Sequence, residues 1–190
     1  MLFDDKLSDI IRTLESDGVL LHPTDTTWNL SCSLYSVKAI SKIYKITKQD
    51  QSQHLTILVD SLYMLKKHVP HIHPRIETLL HYHQKPLIVF YPMVKKFPEF
   101  YLNGKDNKAA IRIIHDPYCN QIIKLLGNPL VTTTANTLGK SIPTNFRDIP
   151  DTIKQGADSI SKHKRNVAFS AETSVTIDYN QEGEINFLQL

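Results

Sequence analysis

Apolar residues recur along this chain at two alternating periods. Leu7, Ile10, Ile11 and Leu14 repeat at helical spacing, with Asp4 or Asp5 available to satisfy the first amides and Gly18 to close the C-terminus. The next apolar run, residues 19–22, is short enough to be a strand, and it stops at Pro23, which holds His22 extended. A second helix is predicted over 36–46, with Val37, Ile40 and Tyr44 on one stripe and Ile43 at its flank. Residues 55–60, LTILVD, have the composition of a buried strand, and the polar stretch TKQDQSQH before them reads as an exposed loop. A short helix over 62–67 follows, and Pro74 opens another in which Ile76, Leu79 and Leu80 face inward.

The second half repeats the alternation. Residues 86–92 and 109–114 read as strands around a loop containing Asn103 and Gly104. Asp116 caps a helix opened by Pro117, carried by Ile122, Ile123 and Leu126, and ended by Gly127. PLVTTTAN is a strand running into the polar turn ANTLGKSIPT, residues 148–155 are partly helical, and SVTIDY and EINFLQL are two strands separated by NQEG. Strands and helices alternate without internal repeats, which predicts one α/β domain over 1–190 with helices layered on a mixed sheet.

Composition narrows the class. The 190 residues, 41% hydrophobic, suffice for one substantial core, and no apolar run approaches the length of a membrane span. The acidic, amphipathic start MLFDDKLSDIIR is unlike an export signal, so a cytoplasmic protein that does not enter the membrane is expected. Cys32 and Cys119 are too few for a disulfide framework and form no C-x-x-C pair; reduced, buried thiols are expected. The net charge of +3 is a mild excess, and the arginines are limited to Arg12, Arg75, Arg112, Arg147 and Arg165. No glycine-rich phosphate loop is present, so a bound nucleotide must be held by other means. His68, His71, His73, His81 and His83 cluster in sequence, but their spacing is a weak signal for a metal, and helix-end and loop positions explain them.

Two turns share one chemistry. HPTDTTWNL exposes Thr24, Thr26 and Thr27, and TTTANTLGKSIPT exposes Thr132, Thr133, Thr134, Asn136, Thr137 and Ser141. Hydroxyl and amide groups of this kind either orient phosphate or carboxylate oxygens or simply close Asx and Ser/Thr turns. Arg112, inside the apolar strand AAIRIIH, is costly to bury without a partner and is the leading single site candidate; an arginine reaching solvent from a sheet face is the alternative.

The run from His22 to Asp60 resembles the N-terminal signature of the YrdC-like family, a P-T-D/E-T-x-Y-G-L turn, a helix, a K-x-R motif and a P-L strand. AAIRIIHDPYCNQIIKLLGNPLVTTTANTLGKSIPT is similar to the second signature, an A-V-R strand, a helix and a P-S-A-N-x-S-G-x-x-x-P-T turn. The resemblance implies a twisted mixed sheet of about seven strands around a concave surface. It also implies a nucleotidyltransferase that makes threonylcarbamoyl-AMP from L-threonine, bicarbonate or CO2, and ATP, with Mg2+ carried by the ATP, for t6A biosynthesis on tRNA together with tRNA-modification partners. A non-catalytic protein binding tRNA or double-stranded RNA is the alternative.

Carried over by position, Thr24 and Thr26 would hold the amino acid and approach the reaction centre, with Arg112 as the third catalytic residue. Thr134, Asn136, Ser141 and Ser174 would line the nucleotide. Trp28 stands for the usual tyrosine, as an apolar wall or a core residue, and Asn29 for the usual glycine, where a positive φ would be less comfortable. The chain departs from the pattern at Thr47 and Gln49, which replace the cations of K-x-R, and at Gln189, which replaces a late arginine. Lys45 and Lys48 are the cations that could serve instead from a shifted register.

Overall fold

The computed structural model describes residues 3–51, 53, 55–69, 71–83, 85–92, 108–170 and 174–188. In chain order the elements are α1 (Leu7–Glu15), β1 (Leu20–Pro23), β2 (Trp28–Ser33), α2 (Val37–Thr47), β3 (Thr56–Val59), α3 (Leu62–His68), α4 (Pro74–Tyr82) and β4 (Leu87–Pro92). They continue with β5 (Lys108–Ile113), α5 (Pro117–Leu126), β6 (Leu130–Thr134), α6 (Asp151–Gly156), β7 (Ser159–Ile160), β8 (Val175–Tyr179) and β9 (Ile185–Leu188). The predicted loop around Asn103 and Gly104, and Gln189, lie outside the described residues.

Local chemistry sets the helix ends. Ser36 caps α2 by accepting from Ala39 N at 3.1 Å, and Asp116 caps α5 by accepting from Cys119 N at 3.0 Å ahead of Pro117. Gly127, at φ 71°, closes α5 in the left-handed region. At α1 the expected cap differs: Lys6 holds the N-cap position without a side-chain bond. Asp5 instead accepts from Tyr118 Oη, Ser161 Oγ and the Lys162 amide, tying the N-terminal segment to the far end of the chain. Asp17, not Gly18, takes the positive φ, and Gly18 N donates to Thr13 O at 2.9 Å to complete a Schellman closure.

The strands form one mixed sheet ordered β7-β1-β2-β6-β3-β5-β4-β8-β9. It has nine strands where seven were expected, the additions being β2 and the two-residue β7. Directly paired residues share a face, so the register sorts the side chains. Leu30, Cys32, Val131, Ile57, Ile111, Val89 and Ile177 lie on the face packed by Ala39, Ile40 and Ile43 of α2, Leu65 of α3, Ile76 of α4 and Ile153 of α6. Trp28 belongs to that core, its ring 4.9 Å from the ring of Phe146.

The opposite face is divided. Leu20, Leu58 and Leu130 are covered by Ile10 and Leu14 of α1 and by Tyr118, Cys119, Ile122 and Ile123 of α5. Each such aliphatic or aromatic side chain contributes about 1.5–3 kcal/mol when fully buried. Beyond that cover the same face carries Asn29, Thr132, Thr134, Thr56, Arg112 and Thr176, and there it opens into a cavity. Among the described residues no helix is long and apolar enough to cross a membrane.

Candidate functional site

The cavity has a volume of about 950 Å³. Its wall carries the hydroxyls of Thr26, Thr27, Thr56, Thr132, Thr133, Thr134, Thr144, Ser170, Ser174 and Thr176 and the carboxamides of Asn29, Gln49 and Gln53. Among the described residues that line it, Arg112 is the one charged side chain.

Arg112 reaches the cavity from the penultimate position of β5 and is only 5% exposed. Its Nη2 donates to Asp25 Oδ2 and its Nη1 to Ser174 Oγ at 3.2 Å, while Nε has no partner among the described residues. Asp25 sits on the β1–β2 turn, and that turn is built by Thr24. Thr24 is 1% exposed; its hydroxyl donates to Thr27 O at 2.9 Å and accepts from the amides of Thr26 and Thr27 at 3.2 and 3.3 Å. Thr24 therefore shapes the turn that carries Asp25 and Thr26, and of these threonines Thr26 and Thr27 line the cavity.

The two hydroxyl turns are joined directly, since Thr27 Oγ1 donates to Pro143 O at 2.7 Å. In the second turn Thr134 Oγ1 donates to Asn136 Oδ1 at 2.5 Å, and Asn136 Nδ2 donates to Lys140 O at 2.7 Å. Leu138 N donates to Thr47 O at 2.9 Å, which docks the turn on the end of α2. Thr134 faces the cavity; Asn136 is a bracing residue behind it, and Ser141 is exposed outside the wall.

The end of α2 holds no cation toward this space. Thr47 is buried and its hydroxyl donates to Ile43 O at 2.9 Å, while Gln49 lines the cavity with Nε2 donating to Thr133 Oγ1 at 3.2 Å. Lys45 and Lys48 are exposed and outside the wall, and Lys48 occupies the left-handed C-cap at φ 57°. Asn29 lies within β2 and is not among the positive-φ residues, so the strain expected there is absent.

Behind the cavity runs a buried polar chain. Asn29 Nδ2 donates to Thr132 Oγ1 at 3.0 Å, Thr132 and Ser31 hydroxyls meet at 2.8 Å, and Ser31 Oγ meets His22 Nε2 at 2.7 Å. Burial pushes the His22 imidazole down to about 4, so it is neutral near pH 7. Burial likewise pushes the Cys119 thiol, 3.6 Å from His22 Nδ1, well above its ordinary range, leaving it unreactive.

Asp25, the ion-pair partner of Arg112, was not singled out from the sequence. Its signal was available as the acid inside P-T-D-T. Gln53, Thr56 and Thr176 had no motif to mark them, because they reach the wall through sheet register and loop packing.

The family model described as "Telomere recombination", Sua5_yciO_yrdC, matches residues 12–188, and the chain belongs to that family. Threonylcarbamoyl-AMP synthase of Yersinia enterocolitica is 26% identical over 137 residues, covering 70% of this chain and 72% of that protein. E. coli YciO superposes with a TM-score of 0.80 at 18% identity, over 93% of this chain and 84% of that one. P. abyssi Sua5 complexed with L-threonine superposes with a TM-score of 0.79 at 19% identity over 90% of this chain, which spans 50% of that longer chain.

Proposed function

We propose that the cavity is the active site of a threonylcarbamoyl-AMP synthase-like nucleotidyltransferase acting on L-threonine, bicarbonate or CO2, and ATP in t6A biosynthesis. The observation that carries this reading is Arg112: a buried guanidinium on the cavity wall, oriented by Asp25 and Ser174. Such a group suits an amino-acid carboxylate, because its fork is held before the ligand arrives. Thr26 and Ser174 supply hydroxyls beside it. In the reaction the threonine amine takes up the one-carbon unit; a carbamate oxygen then bonds to the α-phosphorus as the bond to pyrophosphate breaks. The chain's part is to align these groups and exclude water. Mg2+ would arrive with the nucleotide, since no carboxylate is among the described lining residues. The test is mass-spectrometric detection of threonylcarbamoyl-AMP after incubation with threonine, bicarbonate, ATP and Mg2+, beside an active synthase. Product that vanishes in Arg112→Ala is expected; no product from folded protein would overturn the reading.

A second reading has its own observation. The α2 surface exposes Lys38, Lys45 and Lys48, with Lys42 held by Asp158 at 2.6 Å, which suits contact with the phosphates of tRNA or duplex RNA. Salt-dependent RNA binding lost in a Lys45→Glu, Lys48→Glu double variant is its expected outcome, and no binding at low salt would exclude it.

A further inference from the structure

The excess positive charge of this chain is concentrated in one segment. Residues 62–85 hold four of the 22 lysines and arginines, namely Lys66, Lys67, Arg75 and Lys85, against one of the 19 acids, Glu77. Elsewhere the two signs balance at eighteen each, so the net charge of +3 belongs to this segment alone. In the fold it forms α3, α4 and the residues just after α4. Leu65 of α3 and Ile76 of α4 anchor the two helices on the sheet face opposite the cavity, so their outer sides point away from it.

Those outer sides interleave cations with open rings. On α3, Tyr63, Lys66 and Lys67 are exposed and share one side at spacings of three and four residues; on α4, Arg75, Thr78 and Tyr82 do the same. Lys66 Nζ donates to Glu77 Oε1 at 2.5 Å, which ties the two sides into one surface. Tyr63 stands three residues from that bridge and Tyr82 five, about 4.5 and about 7.5 Å along the helix axes. Tyr63 is 72% exposed and Tyr82 75%. Lys67 Nζ lies 4.4 Å from the centre of the Tyr63 ring, and His81 meets the Tyr82 ring perpendicularly at 4.9 Å. Acids mark the limits of the surface: Asp60 precedes α3, and Glu182 and Glu184 flank Gly183, which abuts the His73 ring at the start of α4.

Charge and rings together select the occupant. Lysine and arginine match phosphates, and an exposed tyrosine beside a cation offers a face on which an unpaired base stacks. An acidic peptide would use the charges and leave the rings idle. A membrane surface calls for aliphatic side chains to insert, yet among the described residues of α3 and α4 the large hydrophobic side chains that are exposed are the two tyrosines. A duplex keeps its bases stacked on one another and presents only its backbone to such a face.

We infer that the outer side of α3 and α4 binds single-stranded nucleic acid, with phosphates on Lys67 and Arg75 and bases on Tyr63 and Tyr82. This goes beyond the α2 reading, which concerns the phosphates of tRNA or duplex RNA, and it does not depend on the reaction in the cavity.

The experiment is fluorescence anisotropy of the full chain with a labelled single-stranded RNA of about twelve nucleotides and with the same sequence as a duplex, across a salt series, beside co-sedimentation with phosphatidylglycerol vesicles. Each variant is first checked for native circular dichroism. The wild type is expected to bind the single strand more tightly than the duplex at low salt. Tyr63→Ala with Tyr82→Ala should weaken the single strand about tenfold or more, and Tyr63→Phe with Tyr82→Phe should keep it, because stacking needs the ring and not the hydroxyl. Lys67→Glu with Arg75→Glu should weaken both nucleic acids and reduce the log–log salt slope for the single strand by about 1.4. Single-strand affinity unchanged in the double alanine variant would overturn the assignment, as would no binding at low salt or vesicle capture without RNA binding. Loss of single-strand binding in Lys45→Glu, Lys48→Glu but in neither α3–α4 variant would overturn it in favour of the α2 surface.

Discussion

One face of a single sheet meets two fates. Beneath α1 and α5 it presents Leu20, Leu58 and Leu130 and is sealed; further along the same strands β3 and β6, and on β5 and β8, it presents Thr56, Thr132, Arg112 and Thr176 and stays open. Strand pairing is continuous across both halves, so backbone geometry does not distinguish them. The difference lies in the side chains: aliphatic residues are closed over by helices, whereas hydroxyls, carboxamides and one ion-paired arginine line an open cavity, which the proposed function fills with a ligand.

The largest effect that would sharpen this comparison comes from two substitutions on β6. Leu130→Ala, in the sealed half, should lose about 2 to 5 kcal/mol of stability in urea denaturation, whereas Thr134→Ala, four residues on, should lose about 1 kcal/mol or less. Equal losses would break the distinction. Next, Arg112→Ala should weaken L-threonine binding roughly a hundredfold or more while the far-UV spectrum stays native; collapse of the fold instead would make Arg112 structural.

The buried chain behind the cavity gives a pH signature. The His22 pKa is depressed from 6.5 in the unfolded chain to about 4 by burial, so the unfolded state binds the extra proton first as pH falls. Its neutral form contributes stability that is fully present above pH 6.5 and is lost progressively down to about pH 4, on the order of 3 kcal/mol in all. His22→Gln should flatten that part of the stability curve; an unchanged slope would refute the assignment. The smallest expected effect is at Gly183, at φ +76°, where an added Cβ would fall 2.1 Å from the His73 ring. Gly183→Ala should cost about 1 kcal/mol or somewhat more in thermal unfolding, and a smaller cost in a His73→Ala background.

Much of the fold was legible because the signals were local. Proline, serine, aspartate and glycine marked the ends of α2, α4 and α5, and apolar runs marked most strands. The strand β2 was not read, although WNLSCS alternates: its polar positions are themselves buried, so Asn29, Ser31 and Ser33 resembled a turn rather than the second face of a central strand. Of the site candidates, Thr26, Arg112, Thr134 and Ser174 line the cavity: Arg112 was marked by its place in an apolar strand, Thr26 and Thr134 by their hydroxyl turns and the family resemblance, and Ser174 by the resemblance alone. Thr24 and Asn136 brace the two turns, and the sequence could not separate bracing from lining.

The most direct measurement is amide chemical-shift mapping of the isotope-labelled protein during titration with L-threonine. The account expects perturbations concentrated at Thr26, Arg112 and Ser174, absent around Ile10, Tyr118 and Ile122, and abolished in Arg112→Ala. Saturating shifts centred on the α1–α5 half, or an unaltered titration in the variant, would contradict it.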